Sequence, residues 1–416
     1  MRRFWTYLIY ICVPAMCLLA VAACLDEEVE EPQPVEPGQP ATTLPRTLII
    51  YMAGENSLAD VVAADSLEIA RGLSTIGMNH RVVVYIDDGK SSRLCVGMRE
   101  QPLQTVKTYD GNVCSTDSAS MEQVFRDIVA TYPAEHYGLV FWSHGSGWQP
   151  AARTSTAQAP RRSFGIDNGQ RSRSNTGIGM DITTLARVLG HQPHTDFIFF
   201  DACFMQCVEV AYELRHVTDY VIASPAEIPG DGAPYENILQ PMSQVPSHIE
   251  GILANYADYY TNGVGRSTYS GVELSAVRTS ELERLAEATA PHLQRLFEGR
   301  ATPYCQDVQR YFPSTTQTQY TEFYDLESLL FRHLSEEEYE EWHQAYAAAV
   351  PHILLTPTWY SMFGSTADGF CEITDLEHTG GVSVFVPTEQ YAQKGWIDKY
   401  HALEWYHATG LGATGW

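Results

Sequence analysis

The stretch HYGLVFWSHGSGW, residues 136–148, holds the reading from which the rest follows. Its segment YGLVFWS (137–143) is a short, unbroken apolar run, the pattern of a strand covered on both faces rather than of one with a wet side. The run stops at His144, with Gly145 and Gly147 directly behind it. Similar runs lie on either side: TLIIYMA (47–53), RVVVYIDD (81–88), DFIFFDA (196–202) and YVIASPAE (220–227). Between them, SLADVVAADSLEIARGL, MEQVFRDIVATY, MDITTLARVLG and FMQCVEVAYELRHV carry helical periodicity, and a hairpin is expected over 91–109. Strands and helices alternating in this way predict an α/β fold, a mostly parallel sheet with helices on both faces. In such sheets the working loops sit at the carboxyl ends of the strands, where His144 and Cys203 both stand. Residues 46–265 are read as a core, and 266–416 as a C-terminal α+β part that extends the sheet or packs closely on it.

Before the core the chain changes character. Arg2 and Arg3 precede an apolar run from Phe4 to Ala23, and Val21-Ala22-Ala23-Cys24 resembles a bacterial lipobox. The expectation is a signal peptide over 1–23 and lipidation of Cys24, with an uncleaved membrane anchor as the alternative. Residues 24–45 are rich in acid and proline and read as an extended tether. The expected location is the bacterial cell envelope, at the outer membrane, with the periplasmic and the surface-exposed orientation both left open. A formal charge of −25 argues against a nucleic-acid partner, since phosphate neutralisation requires surplus Lys and Arg.

FFDACFM (199–205) puts Cys203 at the junction of a strand and the expected helix. Backbone N–H groups and the helix dipole at such a junction lower a thiol's pKa, so Cys203 is a candidate nucleophile. A small buried hydrophobe is the plainer reading of a lone cysteine. His144 at the same sheet edge supplies the proton-transfer partner that thiol-based acyl transfer needs. Gly145, with no side chain, can bring its N–H to a substrate carbonyl, and with the Cys203 N–H would form an oxyanion hole.

YMAGENSL, FWSHGSGW, FFDACFM, SPAEIPGDGAPY and the closing LEWYHATGLG resemble the clostripain family of cysteine peptidases, in the clan of caspases and gingipains. The pentapeptide of caspases themselves is absent. The resemblance implies a caspase-like sheet, a catalytic pair His144 and Cys203, and an acidic specificity pocket from Asp201 and Asp231 selecting Arg, then Lys, before the cut. Helix capping and a turn are the structural alternatives for those two acids. The resemblance also implies self-cleavage in the arginine-rich segment 148–179, after Arg153, Arg161 or Arg162; it contains Arg171 and Arg173 as well. It leaves a calcium requirement open, and no EF-hand loop is present. Cys95–Cys114 and Cys305–Cys371 are candidate disulfides, and Cys207 is read as core packing. Two competing readings are a non-catalytic surface module on a peptidase scaffold and a peptidase of the clan with another specificity.

Overall fold

The structure is a computed structural model. It describes residues 42–149, 163–167, 169, 175, 177–262, 271–312, 323–361, 370–373 and 375–416. The expected signal peptide, Cys24, the tether up to residue 41, and Arg153, Arg161, Arg162, Arg171 and Arg173 lie outside the described residues. Residues 42–416 form one compact unit.

Twelve strands place the site: β1 (Leu44–Ala53), β2 (His80–Asp87), β3 (Ser92–Met98), β4 (Gln101–Tyr109), β5 (Ala134–Trp142), β6 (Phe164–Asp167), β7 (Ile178–Met180), β8 (Phe197–Asp201), β9 (Tyr220–Ala223), β10 (Glu273–Arg278), β11 (Phe323–Asp325) and β12 (His352–Leu355). Nine of them form one sheet in the order β12-β10-β9-β8-β5-β1-β2-β3-β4. The middle five, β9 to β2, run parallel, and the strands added on each edge are antiparallel. β10 and β12 come from beyond residue 265, so the second half of the chain extends the sheet of the first. The expected tether ends early, since β1 already begins at Leu44.

Side chains alternate across each central strand. Ile49, Tyr51, Leu139, Phe141, Ile198 and Phe200 face one core, under the helices Ser118–Thr131 and Ile182–Leu189. Leu48, Ile50, Val140, Trp142, Phe197 and Phe199 face the other, under Val62–Gly72, Tyr235–Ser243 and Ile249–Thr261. Unbroken apolar runs in the sequence are the trace of this double burial.

The helix expected over 204–217 is much shorter, Val208–Glu213. Residues 203–207 instead run beside the chain leaving β9: Phe204 N donates to Ala226 O (2.9 Å) and Gln206 N to Ser224 O (3.0 Å). Phe204 has φ of 62° and Cys207 is extended, so the backbone is satisfied laterally and helix cannot start before 208. Of the described residues, no helix is long and apolar enough to cross a membrane.

Candidate active site

Trp142 on β5 lies opposite Asp201 on β8, and Ser143 N donates to Asp201 O at 3.3 Å. Two residues further along each chain stand His144 and Cys203, leaving the rim of adjacent strands about 4.8 Å apart. Gly145 closes the gap. A Cβ there would lie 2.6 Å from the Cys203 carbonyl oxygen and 3.0 Å from Ala202 Cβ, so any side chain would wedge the two turns apart. On its other side Gly145 bridges Phe164. The bonds of that bridge come from its neighbours, Gly165 N to His144 O (2.9 Å) and Ser146 N to Ser163 O (3.2 Å), which leaves the Gly145 N–H out of the ladder.

His144 Nε2 lies 2.9 Å from Ser57 Oγ. Ser57 follows Asn56, whose Nδ2 donates to Ala53 O (2.9 Å) and Ile166 O (3.0 Å) and so fixes the turn after β1. Ser57 carries no signal of its own in the sequence, although it lies within YMAGENSL.

Cys203 occupies a partly exposed turn, five residues before the nearest helix. The expected lowering of its pKa by a helix dipole does not occur. Burial, then the Glu227 carboxylate and, less strongly, Asp201 push the thiol up to about 12, against some relief from the Ile228 N–H. Glu227 accepts a hydrogen bond from Ser361 Oγ at 2.6 Å. Glu227 therefore enters the site as a residue that sequence reasoning missed.

Asp201 shares its sheet face with Trp142, toward the Val62–Gly72 helix. It is buried, accepts from Ala233 N (3.1 Å) and Tyr235 OH (2.9 Å), and caps no helix. Burial pushes it up to about 6, against those two hydrogen bonds. Asp231 belongs to the turn closed by Gly232 N to Pro229 O (3.0 Å), and it lines a groove of about 470 Å³ with Asp65, Glu68, Arg71, Glu236 and Tyr259. Asp65 accepts from Trp142 Nε1 at 2.7 Å; burial, then Asp201, raise it to about 8, with Glu68 and Asp231 adding to the effect. The fields of Asp201 and Asp231 thus meet at one place, with Asp201 set behind the groove wall. Asp65 and Glu68 stand three apart on one helix face, a spacing visible in sequence that did not disclose which strand acid it meets.

Cys207 is buried, as expected of a core residue. The two candidate disulfides are not formed: Cys95 Sγ is 3.5 Å from Thr105 Oγ1, Cys114 Sγ is 3.6 Å from Thr116 Oγ1, and no bond joins Cys305 to Cys371.

A parallel sheet that brings a cysteine turn against a histidine turn at its carboxyl rim defines a caspase-like cysteine endopeptidase. The model of the clostripain family, peptidase C11, matches residues 50–412, and the chain belongs to that family. It is similar to a secreted C11 cysteine protease from Bacteroides thetaiotaomicron, solved with an irreversible peptide inhibitor: 30% identity over 88% of this chain and 98% of that one, TM-score 0.71. An inactive zymogen C11 protease from Parabacteroides distasonis is 28% identical over 88% of this chain and 99% of its own, TM-score 0.72. Clostripain of Hathewaya histolytica is 26% identical over 159 residues, 37% of this chain, and the match spans 29% of clostripain's length.

Proposed function

We propose that the chain cleaves proteins after arginine, and less readily after lysine, with Cys203 as nucleophile and His144 as its proton-transfer partner. The observation that carries the specificity is the acidic groove: Asp231, Asp65 and Glu68 line it, and Asp201 lies behind it. A guanidinium presents paired donors to carboxylates and keeps its charge when desolvated, which favours Arg over Lys there. The thiol is protonated at neutral pH, so its proton passes to His144 as sulfur bonds to the scissile carbonyl carbon. The Gly145 and Cys203 N–H groups receive the oxyanion. His144 then gives the proton to the leaving amine, and water releases the acyl group from Cys203.

The same specificity accounts for self-processing after Arg153, Arg161 or Arg162. Ser163 Oγ donates to Gln149 O at 3.4 Å, so the residues that flank positions 150–162 meet beside the histidine turn. Trp148 packs against Phe385 and Tyr400 with both ring centroids at 4.9 Å, and Phe164 against Phe141 at 4.8 Å. Both flanks thus stay anchored after a cut. The lipobox-like Cys24 supports tethering to the outer membrane, in keeping with a relative described as secreted.

The test is a fluorogenic peptide panel varying only the residue before the cut. Arg is expected to exceed Lys, with Asp and Asn unreacted, and Asp231→Asn is expected to cost on the order of tenfold or more in kcat/KM for Arg, the worth of one charge-assisted pair. A preference for Asp or Asn would refute the groove assignment. Intact migration of active protein, identical to that of Cys203→Ala on a denaturing gel, would refute self-processing.

A further inference from the structure

The histidine turn is held from the side away from Cys203. In the sheet β5 lies between β8 and β1, so the turn carrying His144 has the Cys203 turn on one flank and the turn after β1 on the other. From that second flank Ser57 brings its Oγ to 2.9 Å from His144 Nε2. Ser57 is exposed, yet the turn that presents it is pinned on both sides. The buried Asn56 side chain closes across it: Oδ1 accepts from Leu58 N (2.9 Å) while Nδ2 donates to Ala53 O (2.9 Å) and Ile166 O (3.0 Å). Ser57 N itself donates to Asn175 Oδ1 at 3.1 Å. The histidine turn is tied to the same strand end, since Ser143 Oγ donates to Ala53 O at 2.7 Å. Hydroxyl and imidazole are thus set against each other by the backbone of two adjacent strands, not by a chance meeting of surface side chains.

An imidazole exchanges protons only through a nitrogen that carries a lone pair, and which nitrogen that is depends on the hydrogen bond the other one makes. We propose that Ser57 is a positioning residue: its oxygen accepts the Nε2–H of His144, which fixes the neutral tautomer with its lone pair on Nδ1, the nitrogen that takes the Cys203 proton. The inference rests on the pairing of Cys203 with His144 proposed above. In acylation the S–H proton moves to Nδ1 as sulfur bonds to the carbonyl carbon. The imidazolium so formed keeps its Nε2–H on Ser57, and Nδ1 delivers its proton to the amine nitrogen as the C–N bond breaks. The hydroxyl's own hydrogen turns to solvent. A hydrogen bond from a charged donor is stronger than one from a neutral donor, so Ser57 contributes most when the ring is charged, on the way through the reaction. An interaction that strengthens there acts on kcat and leaves substrate binding alone.

Two measurements test this. The first uses the full chain carrying Cys203→Ala, which cannot cut itself, with isotopically labelled histidines, and reads ring tautomers by nitrogen NMR in mildly alkaline buffer; His144→Gln in the same chain identifies the His144 signals. His144 is expected as the Nε2–H form, as a mixture of forms after Ser57→Ala, and again as the single form after Ser57→Thr, which keeps the oxygen. A predominant Nδ1–H form in the parent, or no change on Ser57→Ala, would overturn the proposal. The second is hydrolysis of an Arg peptide by enzyme with Cys203 intact. Ser57→Ala should lower kcat on the order of tenfold while KM stays within about twofold, and Ser57→Thr should recover most of the loss. Full kcat in Ser57→Ala, a loss confined to KM, or no recovery in Ser57→Thr would count against it equally. His144→Ala separates the two claims: activity in that variant would defeat the pairing of Cys203 with His144, whereas an inactive His144→Ala beside a fully active Ser57→Ala would defeat only the role of Ser57.

Discussion

At the scale of single residues, Cys203 is a thiol held protonated by its surroundings. Burial and Glu227 both favour the neutral form, so Glu227→Gln should lower its pKa and speed alkylation by iodoacetamide at pH 8, since a thiol whose pKa is lower by about one holds about tenfold more thiolate there. In the parent enzyme the alkylation rate should still be climbing above pH 9; a plateau near pH 6 would mean a preformed thiolate. Asp201 behind the groove is raised to about 6 and Asp65 on its wall to about 8, so KM for an Arg peptide should fall as pH rises through that range and the carboxylates ionise, a dependence that Asp65→Asn should weaken. That positions 144 and 203 share one sheet rim was legible in the sequence, because each follows an apolar run and parallel strands share one working rim. That the thiol's pKa rises was not legible: it depends on Glu227, twenty-four positions away in the chain, and on a helix that starts later than periodicity suggests. Asp65 and Glu68 were likewise hidden, since only the packing of their helix on the Trp142 face brings them toward Asp201.

Elements carry the site by register. Trp142 opposite Asp201 fixes His144 beside Cys203, and the glycine at 145 lets the two turns touch. Gly145→Ala should therefore cost about 1–3 kcal/mol in stability, the usual penalty of overpacking, and lower kcat more than it raises KM; a variant of parental melting temperature and full activity would contradict this geometry. The strands were readable from double-sided burial. The stretch 203–207 was not, because its apolar spacing suits a helix while its hydrogen bonds go sideways to Ser224 and Ala226. The short pairing of β6 with β7 also escaped notice, lying inside a polar, arginine-rich stretch with no alternation to reveal it.

Over the whole molecule, buried acids set the response to pH. Burial is the leading cause that raises Asp65 to about 8, Glu209 to about 7, and Asp201 and Asp325 to about 6. Between the ordinary carboxylate pKa of about 4 and these native values the folded state holds more protons than the unfolded chain, so stability falls as pH rises through that window. The net charge of −25 acts in the same direction by self-repulsion. Cys203→Ala kept in EDTA should melt higher at pH 5.5 than at pH 8.5, and the reverse order would show that these carboxyls are ionised on folding. Composition disclosed the excess of acid; which acids the sheet encloses became visible only with its two faces assigned. The central claim is that Cys203, beside His144, attacks a carbonyl positioned by an arginine in the acidic groove. Its most direct test is mass spectrometry of the protein after reaction with a peptidyl thiol-reactive inhibitor bearing Arg next to the reactive carbon. A single adduct on the Cys203 peptide, formed at least a hundredfold faster than with an Asp-bearing inhibitor, is predicted; labelling spread over other cysteines, or equal rates for the two inhibitors, would contradict it.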